Sequence, residues 1–183
     1  MKKVIYIIVV GLLLSACGSK QLYTLGDTST IPNGTEKSFD FIAVEKVELP
    51  IYFMDSPIYK KENPYHLEEI ENANWINSMD VHMTNVLIAY LQKSMNNPNI
   101  YAYPWSNIKK MDKKVSLNIS TFIAYQDSIS LDANYHILDK HTKKGENYLF
   151  NTKEHIDNKS VESMIEAMEK AYFRLAREIK DKL

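Results

Sequence analysis

Apolar and polar positions along this chain repeat with two different periods. Val115, Leu117, Ile119 and Ile123 interleave with Ser116, Asn118 and Ser120, and Ile129, Leu131, Ala133, Tyr135 and Ile137 interleave with Ser130, Asp132, Asn134 and His136. A period of two predicts strands with one dry face. The intervening Gln126-Asp127-Ser128 predicts a turn, and so an antiparallel hairpin. A third strand is predicted near Glu146 to Thr152, after a turn at Lys143-Lys144-Gly145. Two other stretches repeat every three to four residues. Met79, Met83, Val86, Leu87, Tyr90 and Leu91 mark a helix from Ser78 to Met95; Val161, Met164, Ile165, Met168, Tyr172, Leu175 and Ile179 mark another from Lys159 to Lys182. Asn77 followed by Asp80 is a start signal for the first, and Asn96-Asn97-Pro98 stops it.

Shorter segments complete the pattern. Phe39, Phe41, Ala43 and Val47 alternate, but Ile42 and Val44 are apolar too, which predicts a central strand buried on both faces. Leu22 to Leu25, Ile58 to Lys61, Tyr65 to Ile70 and Ile100 to Tyr103 read as short strands, and Thr28 to Ser38 as an exposed loop. Pro50 ends the central strand and opens an apolar connection, Ile51-Tyr52-Phe53-Met54-Asp55-Ser56-Pro57. The predicted fold is α+β: a largely antiparallel, mixed sheet with two main helices packed on one face.

The N-terminus follows neither rhythm. Lys2 and Lys3 precede an apolar run from Val4 to Leu14, and Leu14-Ser15-Ala16-Cys17 closes it. A basic start, a short apolar stretch and small residues before a cut site describe a secretory signal. Eleven helical residues would rise only about 16 Å, too little for a hydrocarbon core of about 30 Å. Leu-Ser-Ala-Cys has the form of a lipobox, where cleavage leaves the cysteine N-terminal and its thiol carries diacylglycerol. The expected organisation is a signal peptide over 1–16, a lipidated cysteine and tether over 17–21, and one domain over 22–183. Gly18, in place of an aspartate there, predicts export to the periplasmic face of the outer membrane in a gram-negative host.

Charge and composition exclude more than they identify. Losing Lys2 and Lys3 with the signal moves the net charge from −1 to −3, which leaves no electrostatic footprint for nucleic acid. The one cysteine allows no internal disulfide. His66, His82, His136, His141 and His155 lack metal-ligand spacing, and five glycines in the precursor build no phosphate-cradling loop. No nucleophile elbow occurs, so no catalytic residue and no cofactor beyond the Cys17 lipid is expected. Tyr101, Tyr103 and Trp105 alternate along one strand and read as core. Tyr52, Phe53, Met54 and Pro57, in a proline-bounded connection, form the candidate partner surface.

In order and spacing, several segments resemble the ABC-type transport auxiliary lipoproteins, the PqiC-like family. They are the lipobox with Tyr23-Thr24-Leu25 after it, Pro50-Ile51-Tyr52 through Pro57, Trp75 before a helix ending Leu91-Gln92-Lys93, Leu131-Asp132-Ala133-Asn134-Tyr135, and Leu175-Ala176-Arg177-Glu178-Ile179. Asn74 stands where the family often has an arginine, and Asp55-Ser56-Pro57 departs from its Asp-Arg-Pro. The resemblance implies a non-enzymatic lipoprotein working with a periplasmic MCE-domain protein and an ABC permease and ATPase to move phospholipid or other hydrophobic molecules. It also implies a homo-oligomer, since some family members form rings. A structural or assembly lipoprotein of the outer membrane, acting without an ABC system, is the alternative reading.

Overall fold

The computed structural model describes residues 19–35, 37–76, 78–104 and 110–183. The signal segment 1–16, Cys17, Gly18, Asn77 and Trp105 lie outside them. Eight strands form one mixed sheet: β1 (Gln21–Tyr23), β2 (Ile42–Glu45), β3 (Pro57–Asn63), β4 (His66–Trp75), β5 (Ile100–Tyr103), β6 (Lys113–Tyr125), β7 (Ser128–Asp139) and β8 (Lys144–His155). Three helices accompany it, the one-turn α1 (Ile51–Met54) and the long α2 (Met79–Ser94) and α3 (Val161–Lys182). The predicted class is the observed one.

β6 is the axis of the sheet. Along one side it pairs antiparallel with β7 over its whole length, and β7 pairs in the same sense with β8. Its other side is shared. β2 runs parallel to its first residues, Ile42 opposite Lys113 through Val44 opposite Val115, and β3 runs parallel to its last, with Lys60 opposite Ala124. β5 flanks β2, β4 flanks β3, and β1 lies parallel to β4 at the margin. The long ladders are antiparallel, as alternation predicts; the parallel ones are short and need helices and loops to reverse the chain.

The core sits between this sheet and α2 with α3. Val115, Leu117 and Ile119 of β6 face it, then a bulge between Ile119 and Thr121 shifts the parity so that Phe122 and Ala124 face it as well. β2 is central, and Ile42, Ala43 and Val44 are fully buried, as its two-sided pattern predicts. α3 begins at Ser160, whose hydroxyl accepts the Ser163 N–H at 3.1 Å. The two long helices are joined by the Tyr172 hydroxyl, which donates to the Met83 carbonyl at 2.8 Å, and by the Tyr90 and Phe173 rings, 5.4 Å apart.

Candidate functional site

The candidate surface begins with the gap in β6's shared edge. After β2 the chain continues beside β6, with Glu48 N–H donating to the Leu117 carbonyl at 3.0 Å and Ile119 N–H to the Glu48 carbonyl at 2.9 Å. Pro50 then ends strand geometry, and Ile51–Met54 coil into α1, whose Phe53 N–H reaches back to the Pro50 carbonyl at 2.8 Å. The chain leaves α1 extended at Asp55 and becomes β3. α1 therefore bridges the interval between the two strands that share the edge of β6.

Each of its side chains has a different surrounding. Phe53 is 2% exposed and stacks between Trp75, at 5.1 Å, and Phe122, at 5.2 Å. Phe53 is thus a core residue, a correction to the surface role expected for it: a ring this large gains more by filling the gap in the sheet than by facing water. Tyr52 is half-buried, and its hydroxyl accepts the Phe122 N–H at 3.0 Å, in the interval of β6 that pairs with neither β2 nor β3. Burial pushes the Tyr52 hydroxyl above the usual tyrosine range, and the Phe122 N–H partly offsets that. Met54 is exposed and Pro57 half-buried. Ile51, absent from the candidate set, is the most exposed of the group at 83%.

Next to α1 lie two further strands. Pro57 of β3 is opposite Asn74 of β4, which is opposite Leu22 of β1. Ser56 holds this junction, its hydroxyl donating to Asn74 Oδ1 at 3.3 Å and its carbonyl accepting the Trp75 N–H at 2.6 Å. Asn74, where the resemblance implies an arginine, is buried, and its Oδ1 accepts the Ser56 hydroxyl in the turn that follows α1. β1 starts at Gln21, so only three residues separate it from Cys17 in sequence.

The remaining features are less specific. A groove of about 820 Å³ lies between the β3–β4 hairpin and the start of α3, floored by Ile70, Ala124, Ile156 and Met164. Its rim mixes both signs of charge, with Lys60 paired to Glu68 at 3.2 Å, so it selects no sign of ligand. Tyr101 is buried, as expected, whereas Tyr103 is partly exposed beneath the Lys114 ammonium. Among the described residues no helix is long and apolar enough to cross a membrane, and no group of three or more His, Cys, Asp or Glu could hold a metal ion.

The fold has solved counterparts. A crystal structure of an uncharacterized protein superposes with a TM-score of 0.71 at 13% identity, covering 90% of this chain and 99% of the other. Protein XCC0632 from Xanthomonas campestris superposes with a TM-score of 0.69 at 15% identity, covering 87% and 92% respectively. No curated protein matches the chain. The family model described as the ABC-type transport auxiliary lipoprotein component matches residues 23–180, nearly the whole domain, and the chain belongs to that family.

Proposed function

We propose that this protein is a lipid-anchored periplasmic subunit of an MCE-type ABC transport system, moving phospholipid or other hydrophobic molecules and acting by docking, not catalysis. The observation that carries the proposal is the family match over residues 23–180. The lipobox immediately upstream of the matched segment supports it, because Cys17 then holds the domain to the periplasmic face of the outer membrane by diacylglycerol and N-acyl chains. A single permanent membrane attachment suits a stationary docking part.

The sheet supplies the protein-docking surface. Among the described residues, nothing pairs with the outer edge of β8, and 12 residues of backbone are available there. An open strand edge is a template for a partner strand or for a second copy of the chain. The test is recovery of the tagged lipoprotein from envelopes solubilised in mild detergent. Co-purification of an MCE-domain protein with an ABC permease or ATPase is the expected result. Recovery of outer-membrane assembly factors in their place would favour the alternative role, and recovery of neither class would count against the transport reading.

A further inference from the structure

We infer that Leu22, Ile51 and Met54 form a membrane-contact face that rests in the interfacial layer of the bilayer holding Cys17. The inference rests on lipidation of Cys17, proposed above, and adds a second point of attachment built from the folded domain itself.

Three observations carry it. The first is reach. Five residues from Cys17 to Leu22 span at most about 17 Å even when fully extended. β1 is paired into the sheet, so Leu22 has no freedom to move away from the domain. The anchored lipid therefore keeps Leu22 within about 17 Å of the modified cysteine.

The second is exposure without charge. Leu22 is 70% exposed, Ile51 83% and Met54 48%. The segments that converge at this corner, Gln21 to Gly26, Leu49 to Met54 and Ala73 to Ile76, contain no Asp, Glu, Lys or Arg, the nearest charges in sequence being Lys20, Asp27, Glu48 and Asp55 at their ends. Their convergence is set by the Leu22–Asn74–Pro57 register, the Ser56–Asn74 hydrogen bond and the Phe53–Trp75 stack.

The third is polar satisfaction. Asn74 and Tyr52, two polar side chains of these segments, are turned to internal partners, Ser56 and the Phe122 N–H. Placing this corner against lipid thus strands neither group without a hydrogen bond. An uncharged apolar face suits burial at the boundary between headgroups and acyl chains, where binding follows apolar area. Leu149 makes the contrast. It is 88% exposed, but on β8, at the other margin of the sheet and five strand spacings from β1, about 24 Å away.

The chain offers a direct test. Cys17 is the only cysteine, and its sulfur is blocked in the lipidated protein, so an introduced cysteine is the only free thiol. The variants Leu22→Cys, Ile51→Cys, Met54→Cys and Leu149→Cys are labelled with an environment-sensitive fluorophore. Each lipidated protein is then reconstituted into vesicles of phosphatidylethanolamine and phosphatidylglycerol. Expected are a blue shift, quenching by brominated lipid and loss of most iodide quenching at positions 22, 51 and 54, with full iodide quenching at 149. Flotation with the vesicles while all four probes stay open to iodide overturns the inference and leaves the anchor standing. Failure to float overturns the anchor reading, and this inference with it. Probes at 51 and 54 that are shielded only when solubilised transporter components are added would make the face a protein contact, which also overturns it.

Discussion

At the scale of single residues, two side chains decide how the sheet closes. Phe53 fills the opening left where β2 and β3 share one edge of β6, and its ring continues the stack from Trp75 to Phe122. Truncating it leaves a cavity that the surrounding sheet cannot collapse into. Phe53→Ala should therefore cost about 3–5 kcal/mol, read as a lowered urea midpoint; an unchanged midpoint would contradict its assignment to the core. Asp112 fixes the other end of β6. Its carboxylate accepts the Phe41 N–H at 2.8 Å, and it meets His141 Nε2 at 3.0 Å and Lys110 at 3.7 Å. The Phe41 N–H above all, helped by the Lys110 ammonium and the hydrogen bond from His141, holds the Asp112 carboxyl below the usual carboxylate range against the opposing effect of burial. A carboxyl depressed in the folded state adds stability that is complete above its unfolded value, near pH 4, and that drains away as pH falls through the lower folded value. Asp112→Asn should lower the denaturation midpoint at pH 7, and the deficit should shrink as pH is taken down to 3. A deficit constant across that range would refute the linkage.

At the scale of elements, β1 and the turn after it depend on contacts with both long helices. Gly26 has φ of 99°, and a Cβ placed there would lie 2.5 Å from a methyl of Val86 on α2. On its other side Glu169 of α3 accepts the Gly26 N–H at 2.9 Å and the Asp27 N–H at 2.6 Å. The backbone has no room to shift, so Gly26→Ala should destabilise the domain by an amount on the order of 1–3 kcal/mol. A thermal melt matching the parent protein would mean that Val86 yields. The strand and helix rhythms around this turn were readable in the sequence: β6, β7, α2 and α3 stand close to where their periods place them. The bulge was not readable: the sequence alternation runs on to Ile123, whereas past Thr121 it is Phe122 and Ala124 that join the core cluster, and Ile123 is buried outside it. The longer extent of β4, to Trp75, was not readable, because Asn72, at φ of 59°, and Asn74 interrupt any alternation.

At the scale of the whole molecule, the two proposed attachments meet at one corner. The tether leaves from β1, and the uncharged face of α1 lies two strands away, while the open edge of β8 lies at the opposite margin. On these proposals, one margin of the sheet would face the membrane and the other would be open to partners. Its first requirement is the anchor. Cys17→Ala should move the domain to the soluble periplasmic fraction, or leave it as an uncleaved precursor, and should abolish palmitate labelling. Persistent labelling of that variant would remove the basis for both attachments.

The sequence alone determined the α+β class, the two amphipathic helices, the β6–β7 hairpin and the motif that marks Cys17. These are local patterns, and a face of one element is encoded within a dozen residues of chain. It placed Tyr52, Phe53, Met54 and Pro57 in one apolar connection but could not sort them. Ile51 to Met54 are four consecutive residues, three of them strongly apolar, with no period from which to read an inside. Only the tertiary structure separated buried Phe53 from exposed Ile51 and Met54, because the opening they sit over is made by strands about 70 residues apart in sequence. The meeting of three uncharged segments beside the tether is likewise a consequence of strand register, which no segment carries by itself.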